Sequence, residues 1–528
     1  MLWIALHLPR LSFESWLAVL PPDQREQPAA LMGAREVLMC NPAAQRLGVR
    51  PGLQRVTALA LASHLQLGQA DAARDRQALT SVAHVALAFT PAVCWANASE
   101  SAAAHTVLLQ VQASLRYFGG LAALLQRLRA ALAPLNCTVR FASAPTAKGA
   151  AVLACWAGNG SNELHATDLS QLEQLLDAAP LWLIGTGRPQ WDQLDSMGLG
   201  TFGALRRLPR QALLRRFGPA LLDEIDTVLG ARCESPPAWI TLPETFEARI
   251  ELQTRADTTD QLLHGAQLLI EPLLAWARAQ QARVRRCTLF MHHERHRRQG
   301  GDVPATTELS IALAEASCDA AHLSLLLRER LAHLSLPAPT LELRLHCADV
   351  VRGSLHSAEL FASARGEREG LIRLIERLQA RLGAQQVQRL LPVADHRPEC
   401  DGALHAVSAD AVGPAASTAR RSSPARYVMP EHERTTAQAV SAPRPLWLLN
   451  EPQRLPERQS RPWLDGQPLQ LLCGPERIEA GWWDAPLAGR DYFIAQTPDG
   501  ALVWLYRARL PLSVAEDAQG WFVHGRFG

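Results

Sequence analysis

The chain is organised around HTVLLQVQASLRYFGG (His105–Gly120), an apolar, strand-like run that breaks at two consecutive glycines. A helix-period segment follows, LAALLQRLRAAL (Leu121–Leu132), with its leucines on one face. Next come a second β-rich run, CTVRFASAP (Cys137–Pro145), and a second helical run, TAKGAAVLACWAG (Thr146–Gly158). This strand–helix–strand–helix order predicts an α+β fold in which helices pack on one face of a sheet.

The same region lacks acidic side chains, because no aspartate or glutamate occurs between Ser101 and Asn162. Hard divalent cations are bound by oxygen ligands, mainly carboxylates. This part of the chain therefore offers no metal site. Its basic residues are Arg116, Arg127, Arg129, Arg140 and Lys148, the last being the single lysine of the whole chain.

Length and composition bound the architecture. A chain of 528 residues exceeds one ordinary core, so it should contain roughly three or more domains of ~100–150 residues each. Its formal net charge is only +2, but the positive side chains are almost all arginine. Arginine suits bidentate contacts with phosphate, although a GC-rich genome explains the same bias without any function.

Cysteine usage and the apolar runs indicate the compartment. The ten cysteines are scattered without a C-x-x-C pair, which argues against a zinc ribbon and a disulfide framework. The first residues, MLWIALHLPR, have no basic segment before their short apolar run and so are not a secretory signal. The apolar run Val82–Trp95 is interrupted and too short to span a bilayer. We expect a soluble, cytoplasmic protein with no membrane contact and no cofactor.

Two N-terminal segments point to a family. Leu2–Leu8 is a nearly continuous apolar strand, typical of the middle of a sheet. Arg35–Ala62 begins as a strand, turns at an Asn-Pro pair, and continues as a short helix closed by Gly48. Together with the strand–helix–strand segment, this order resembles the Y-family (UmuC-like) translesion DNA polymerases over roughly Leu2–Val350. The C-terminal motifs are similar to those of a catalytically inactive branch of that family.

The resemblance implies a multidomain right hand: a palm, fingers, a thumb with a helix-hairpin-helix, and a little finger with βαββαβ order, which the sequence pattern also predicts. Beyond it we expect a helical extension, a flexible linker rich in Ala, Ser, Pro and Arg, and a small β-rich partner-binding module. The expected ranges are 1–12 and 76–165 for the palm, 13–75 for the fingers, 166–240 for the thumb, 246–350 for the little finger, 351–400 for the extension, 401–445 for the linker and 446–528 for the module.

The positions that carry catalysis in active members are substituted here. The resemblance places the aspartate of the first strand at His7, and the two acids of the serine–x–aspartate–glutamate motif at Gln112 and Ala113. Two-metal phosphoryl transfer needs those carboxylates, so the resemblance implies that no catalytic or metal-binding residue is left. The positions that would grip the nucleotide triphosphate are substituted by Pro42, Gln45 and Ala150.

The DNA-binding features remain. The segment LWLIGTGRPQWDQLDSMGLG (Leu181–Gly200) predicts a helix, a Gly-x-Gly hairpin and a second helix, an arrangement that aims backbone amides at a phosphate. Arginines crowd this segment and one strand of the little finger, which is typical of a surface for phosphates. The expected DNA-binding residues are Gly185, Thr186, Gly187, Arg188, Arg206, Arg207, Arg283, Arg285, Arg286, Arg297 and Arg298.

Three further motifs bear on metal binding and partner binding. HHERH (His292–His296) lacks the H-E-x-x-H spacing of zinc proteases, so we expect no metal there. QRLL (Gln388–Leu391) is only faintly similar to the peptides that bind sliding clamps, and its leucines are expected to pack. Aromatic residues of the C-terminal module serve either as core or as contact surface. The expected partner-binding residues are Trp482, Trp483, Trp504 and Trp521.

These observations predict a non-catalytic, polymerase-like scaffold that binds primer–template DNA in mutagenic translesion synthesis. The resemblance implies three protein partners, namely the sliding clamp, an error-prone C-family DNA polymerase and a RecA-like accessory protein, and a place in the SOS response to DNA damage. Two alternatives stay open. One is an active translesion polymerase with displaced metal ligands, such as Glu14 or Glu100. The other is a DNA-binding repair module without a polymerase partner.

Overall fold

The computed structural model describes residues 1–96, 104–157, 163–184, 191–234, 237–294, 304–353, 364–407, 443–481, 483, 488–509 and 520–527. The chain forms two compact units, Met1–Arg381 and Leu382–Gly528. Within the described residues, no helix is long and apolar enough to cross a membrane.

The first unit begins with two small sheets and the helices that cover them. In chain order the elements are β1 (Trp3–His7), α1 (Leu11–Val19), β2 (Ala29–Met32), β3 (Val37–Cys40), α2 (Pro42–Arg46), α3 (Arg55–Leu61), β4 (Gln66–Gln69), α4 (Ala72–Leu87), β5 (Val93–Trp95), β6 (Thr106–Gln110), α5 (Leu115–Phe118), α6 (Leu121–Leu132), β7 (Arg140–Ala144), α7 (Ala147–Trp156) and β8 (Leu164–His165).

The strand β1 lies in the middle of a five-stranded sheet with the order β5-β6-β1-β7-β8. It pairs antiparallel with β6 and β7 and is buried along its whole length, as its apolar sequence predicted. Trp3 and Ala5 belong to the core under α7, whereas Ile4 and Leu6 belong to the core under α4 and α6. Helices therefore cover both faces. The prediction of helices on one face is wrong, because successive side chains of β1 alternate between two apolar sets that must both be buried.

A second sheet has the order β3-β2-β4 and corresponds to the range expected for the fingers. One face packs on α1 through Trp16 and Leu31, and the other packs on α2 and α3. Gly68 in β4 leaves room for the Trp16 indole, since a Cβ at position 68 would lie 2.2 Å from the ring. A side chain at position 68 is therefore excluded by packing.

Five helices follow in the range expected for the thumb. They are α8 (Leu169–Asp177), α9 (Trp191–Ser196), α10 (Phe202–Arg206), α11 (Arg210–Phe217) and α12 (Pro219–Leu229). Two hydrogen bonds attach them to the start of α7: the Thr146 hydroxyl donates to the carbonyl of Val228 over 2.7 Å, and the backbone N–H of Lys148 donates to Glu234 over 2.9 Å. The palm helix and the thumb therefore share one core.

The predicted βαββαβ order is confirmed between Phe246 and Arg352. The elements are β9 (Phe246–Ala256), α13 (Thr259–Ala279), β10 (Ala282–His293), β11 (Thr306–Ser317), α14 (Ala320–Ala332) and β12 (Thr340–Arg352). Their four strands form a sheet with the order β11-β10-β12-β9. Helices α13 and α14 bury one face of this sheet. The opposite face, which we call the open face, carries side chains that are exposed or half-buried among the described residues.

Side-chain contacts hold this sheet and the next helix in place. The Gln77 amide of α4 accepts from the backbone N–H of Arg249 (3.1 Å) and donates to its carbonyl (3.0 Å), so it continues the hydrogen bonding of the edge strand β9. Helix α15 (Ala364–Leu382) packs against the same domain. Its buried Glu376 accepts from the backbone N–H of Ala314 and lies 2.6 Å from the Nε2 atom of His322.

The described residues of the second unit form mainly β-structure. Its strands are β13 (Gln388–Pro392), β14 (Gly402–Ala406), β15 (Trp447–Leu455), β16 (Glu457–Arg458), β17 (Arg461–Leu464), β18 (Gln467–Pro468), β19 (Gln470–Ala480), β20 (Ala488–Gln496), β21 (Leu502–Ala508) and β22 (Gly520–Arg526). Five of them form one antiparallel sheet with the order β15-β22-β21-β20-β19.

The structure corrects two predicted boundaries. Residues 402–406, expected in the flexible linker, form β14, which pairs with β13 inside the range expected to be helical. The turn after β13 also contacts the main sheet: Glu399 lies 2.9 Å from Arg490 of β20, and the Arg397 guanidinium lies 5.9 Å from the Trp483 ring centroid. The β-rich unit therefore starts before the predicted linker. Composition misled here because strand pairing between separated segments leaves no local signal.

We predict that Arg490→Ala loosens both parts of this unit, because Arg490 also donates to the Tyr492 hydroxyl and covers the Tyr506 ring. Hydrogen exchange should become faster in residues 395–400 as well as in β20 and β22. The expected loss of local opening free energy is about 1–3 kcal/mol. Arg507→Ala, on the neighbouring strand but largely exposed, is the matched control. Faster exchange confined to β20 would contradict the shared unit.

Candidate functional site

The end of β1 lies beside the starts of β6 and β7 in the central sheet. The resemblance places the first catalytic aspartate at this end of β1. The register aligns His7 of β1 with Thr106 of β6 on one side and with Arg140 of β7 on the other. The Nδ1 atom of His7 lies 2.9 Å from the Thr106 hydroxyl, and both side chains are buried. The end of β1 is therefore closed by a neutral hydrogen bond.

The electrostatics of this edge disfavour a cation. Burial, and then the charges of Arg140 and His105, lower the pKa of His7 to about 4. His7 is therefore neutral at neutral pH. Burial also raises the pKa of the neighbouring Cys155 thiol to about 12, and Arg140 donates to the Cys155 carbonyl over 3.3 Å. None of these groups carries a negative charge that would bind a hard divalent cation.

The structure separates Gln112 and Ala113 from His7. These two residues follow β6 at its far end, where the backbone N–H of Val111 donates to the carbonyl of Leu2. A five-residue strand, which spans roughly 15 Å, lies between the two positions. The prediction that His7, Gln112 and Ala113 form one site is therefore wrong. Antiparallel pairing places the end of β1 beside the start of β6, so the residue that faces His7 is Thr106, which the sequence analysis missed.

Glu14 and Glu100 are the two acids that could serve as metal ligands in place of the substituted ones. Both carboxylate oxygens of Glu14 are engaged by Thr138, whose backbone N–H and hydroxyl donate over 2.7 and 2.6 Å. Glu14 therefore fixes the segment that leads into β7. Glu100 lies outside the described residues. Among the residues that the structure describes, no group of three His, Cys, Asp or Glu side chains is arranged to hold a metal ion.

The expected nucleotide-binding positions do not come together as a pocket. Pro42 and Gln45 are exposed on α2. Ala150 is fully buried in the core under α7. Lys148 is half-buried, and its backbone N–H is bound by Glu234.

The thumb arginines fall into two groups. Arg206 forms ion pairs with Glu173 (2.8 Å) and Asp177 (3.2 Å), so its charge is already compensated. Arg207 is exposed and has no carboxylate partner among the described residues. The predicted hairpin residues Gly185, Thr186, Gly187 and Arg188 lie outside the described residues.

The little finger presents arginines on the open face of its sheet. Cys287 faces the helices, so the preceding residue, Arg286, faces away from them. Arg285 is also exposed, because β10 has a bulge at this point. Arg283 is half-buried. Two further arginines lie on this face as cross-strand neighbours, Arg249 and Arg344, and strict alternation along β9 and β12 was the sequence signal for them. Arg344 forms an ion pair with Glu247 over 2.7 Å. Arg297 and Arg298 lie outside the described residues.

The C-terminal tryptophans are mostly core. Trp504 is 2% exposed and Trp521 is 4% exposed, so the prediction that they bind a partner is wrong. Trp504 stacks on Tyr492 with ring centroids 4.0 Å apart. These aromatic side chains therefore build the core of the unit. Trp483 is exposed, as is Trp447, which the sequence analysis did not select. Trp482 lies outside the described residues.

We predict that His7 makes the central sheet sensitive to acid. Its folded pKa lies below the ordinary value of about 6.5, so its contribution is complete above pH 6.5 and is lost as the pH falls towards 4. Between pH 7 and 5, β1 and β6 should lose up to about 2 kcal/mol more opening free energy in the wild type than in His7→Asn. Hydrogen exchange measures this difference, and the exposed His64→Asn is the control. An unchanged pH dependence in His7→Asn would contradict it.

Comparison with known proteins gives these features a family context. The profile of the impB/mucB/samB family matches residues 12–166. Protein ImuB of Caulobacter vibrioides is 27% identical over 501 residues, which cover 91% of this chain and all of that protein. DNA polymerase IV of Yersinia pseudotuberculosis is 28% identical over 206 residues, 37% of this chain and 55% of the polymerase. The structure of DinB from Sulfolobus solfataricus aligns with 67% of this chain and all of its own, at 15% identity and a TM-score of 0.36. The chain is therefore similar to ImuB of Caulobacter vibrioides along most of its length, and to the impB/mucB/samB family over residues 12–166.

Proposed function

We propose that this protein is a non-catalytic, polymerase-like scaffold that binds primer–template DNA in the cytoplasm during mutagenic translesion synthesis. The single observation that supports the loss of catalysis is the contact of His7 with Thr106 at the end of β1. Phosphoryl transfer by two metal ions needs carboxylates at such a place, to hold the cations against the triphosphate and the attacking oxygen. A neutral histidine and a threonine supply no such ligands.

The DNA-binding part of the proposal rests on arginines that form no ion pair with another described residue. Arg207 of the thumb and Arg285 and Arg286 of the little finger are exposed. Guanidinium groups in such positions bind backbone phosphates in any sequence context. The binding is therefore expected to be non-specific and dependent on salt.

The remaining part of the proposal concerns recruitment. A protein that holds primer–template DNA without extending it needs a second polymerase. By similarity to ImuB, we propose an error-prone C-family DNA polymerase, the sliding clamp and a RecA-like accessory protein as partners. The similarity supports this choice of partners, and no described contact identifies the surface that each would use.

DNA binding is tested with two arginines on opposite sides of one domain. Arg286→Ala, on the open face, should weaken binding to primer–template DNA and reduce the slope of log K against log [salt] by about 1. Arg328→Ala removes the same charge from α14, on the helical side, and should leave both unchanged. Fluorescence anisotropy across a salt series measures both quantities. Equal effects of the two variants would contradict the open face as the contact surface.

The thumb offers an equivalent pair. Arg207→Ala should act like Arg286→Ala, with intact folding. Arg206→Ala should instead destabilise the thumb, since it leaves Glu173 and Asp177 without their partner. Its DNA affinity should change less than that of Arg207→Ala. The reverse order of affinities would place the contact on Arg206.

Catalysis is tested by primer extension with the purified protein. We expect no incorporation in Mg²⁺ or in Mn²⁺, because the side chains described at the end of β1, His7 and Thr106, are not carboxylates. Incorporation that is lost in Glu14→Ala would establish an active polymerase with displaced ligands. DNA binding without recovery of a polymerase or the clamp would favour a plain repair module.

A further inference from the structure

The first two short helices of the fingers carry an apolar surface that no part of the described chain covers. Leu47 follows α2, and Val56 and Leu61 belong to α3. These side chains are 45%, 78% and 48% exposed. Large aliphatic side chains grouped on one surface are typical of a contact site. We refer to Leu47, Val56 and Leu61 as the fingers patch.

The packing of the two helices places the three side chains on one side of the sheet β3-β2-β4. Ala44 of α2 and Ala58 of α3 are both fully buried in one core cluster against β2 and β3. Because both helices bury their inner faces in the same cluster, their outer faces are presented to the same side. Leu61 lies beside the turn between the two helices, since a Cβ at Gly48 would lie 3.9 Å from the Leu61 side chain.

The charge around the patch is positive and uncompensated. Arg46, Arg50 and Arg55 are exposed on α2, on the following turn and at the start of α3. None of the three forms an ion pair with a described carboxylate, in contrast to Arg206 and Arg210 of the thumb. Between Pro28 and Ala70 the sequence contains four arginines and one acidic residue, Glu36. A partner of this surface therefore needs negative charge as well as apolar side chains.

The composition favours a protein over a nucleic acid. Single strands bind through aromatic side chains on which bases stack, and the sequence has no Phe, Tyr or Trp between Pro21 and Ala88. Phosphate contacts alone would leave the three aliphatic side chains facing water. An amphipathic helix offers both requirements, with leucines along one face and carboxylates beside them.

We propose that the fingers patch docks an acidic, leucine-bearing amphipathic helix of a partner protein. The leucines of that helix cover Leu47, Val56 and Leu61. Its carboxylates pair with Arg46, Arg50 and Arg55. The patch is formed by α2 and α3, which carry none of the proposed DNA contacts, so this docking does not require that the protein binds DNA.

The test uses the full-length protein and a fluorescent synthetic helix with leucines at i, i+3 and i+7 and glutamates on both flanks. Fluorescence anisotropy should show saturable binding that weakens as salt is added. Val56→Asp and Arg50→Glu should each weaken it at least about tenfold. Leu214→Asp, an equally exposed leucine of the thumb, should leave it unchanged. Circular dichroism confirms that each variant is folded.

Three results would overturn the proposal. The first is no saturable binding of the acidic helix, or equal binding of a scrambled peptide of the same composition. The second is displacement of the helix by a single-stranded oligonucleotide whose own affinity falls in Arg50→Glu, which would make the patch a nucleic-acid surface. The third is a dimer in sedimentation that Val56→Asp converts to a monomer, which would make a second copy of the chain the occupant.

Discussion

The structure depends on the burial of β1, which pairs with a strand on each side and is covered by helices on both faces. All five of its residues are buried, so any polar side chain on it must find its partner inside the protein or lose hydration without compensation. An aspartate at position 7 would require a cation or a donor to balance its charge. Histidine satisfies the same position as a neutral ring bonded to Thr106. The polar side chain at the end of β1 is therefore hydrogen-bonded without a charged group on His7 or Thr106.

Arginine is abundant throughout, but its side chains serve different ends. Arg210 pairs with Asp226, Arg397 with Asp395, and Arg444 with Glu476, within the unit that carries each of them. Others, such as Arg207 and Arg286 in the first unit, extend into solvent. Composition alone does not separate these groups, because a guanidinium suits carboxylate and phosphate equally well. The pairing in the fold decides which arginines remain for a ligand.

The sequence predicted those elements whose signal is local and repeated. The alternation and length of β9 to β12 gave the βαββαβ order, and the continuous apolar run of β1 gave its central place. It failed where a residue's role depends on its distant neighbours. The sequence does not separate Gln112 and Ala113 from His7, because strand register is not readable from one strand. It does not separate a core Trp504 from a surface one, because aromatic residues occur in cores and at interfaces alike. It does not distinguish β14 from a linker, because the pairing of β14 with β13 leaves no local signal.

We propose that the protein binds DNA through the thumb and the little finger, whereas the end of β1 in the palm sheet holds no metal ion. The most direct measurement is electron paramagnetic resonance of Mn²⁺ titrated into the full-length protein, bound to a terminated primer–template with an incoming nucleotide. We predict that the protein adds no bound Mn²⁺ to that held by the DNA and nucleotide alone, since His7 and Thr106 offer no carboxylate. One or two additional stoichiometric ions, abolished by Glu14→Ala, would contradict the account.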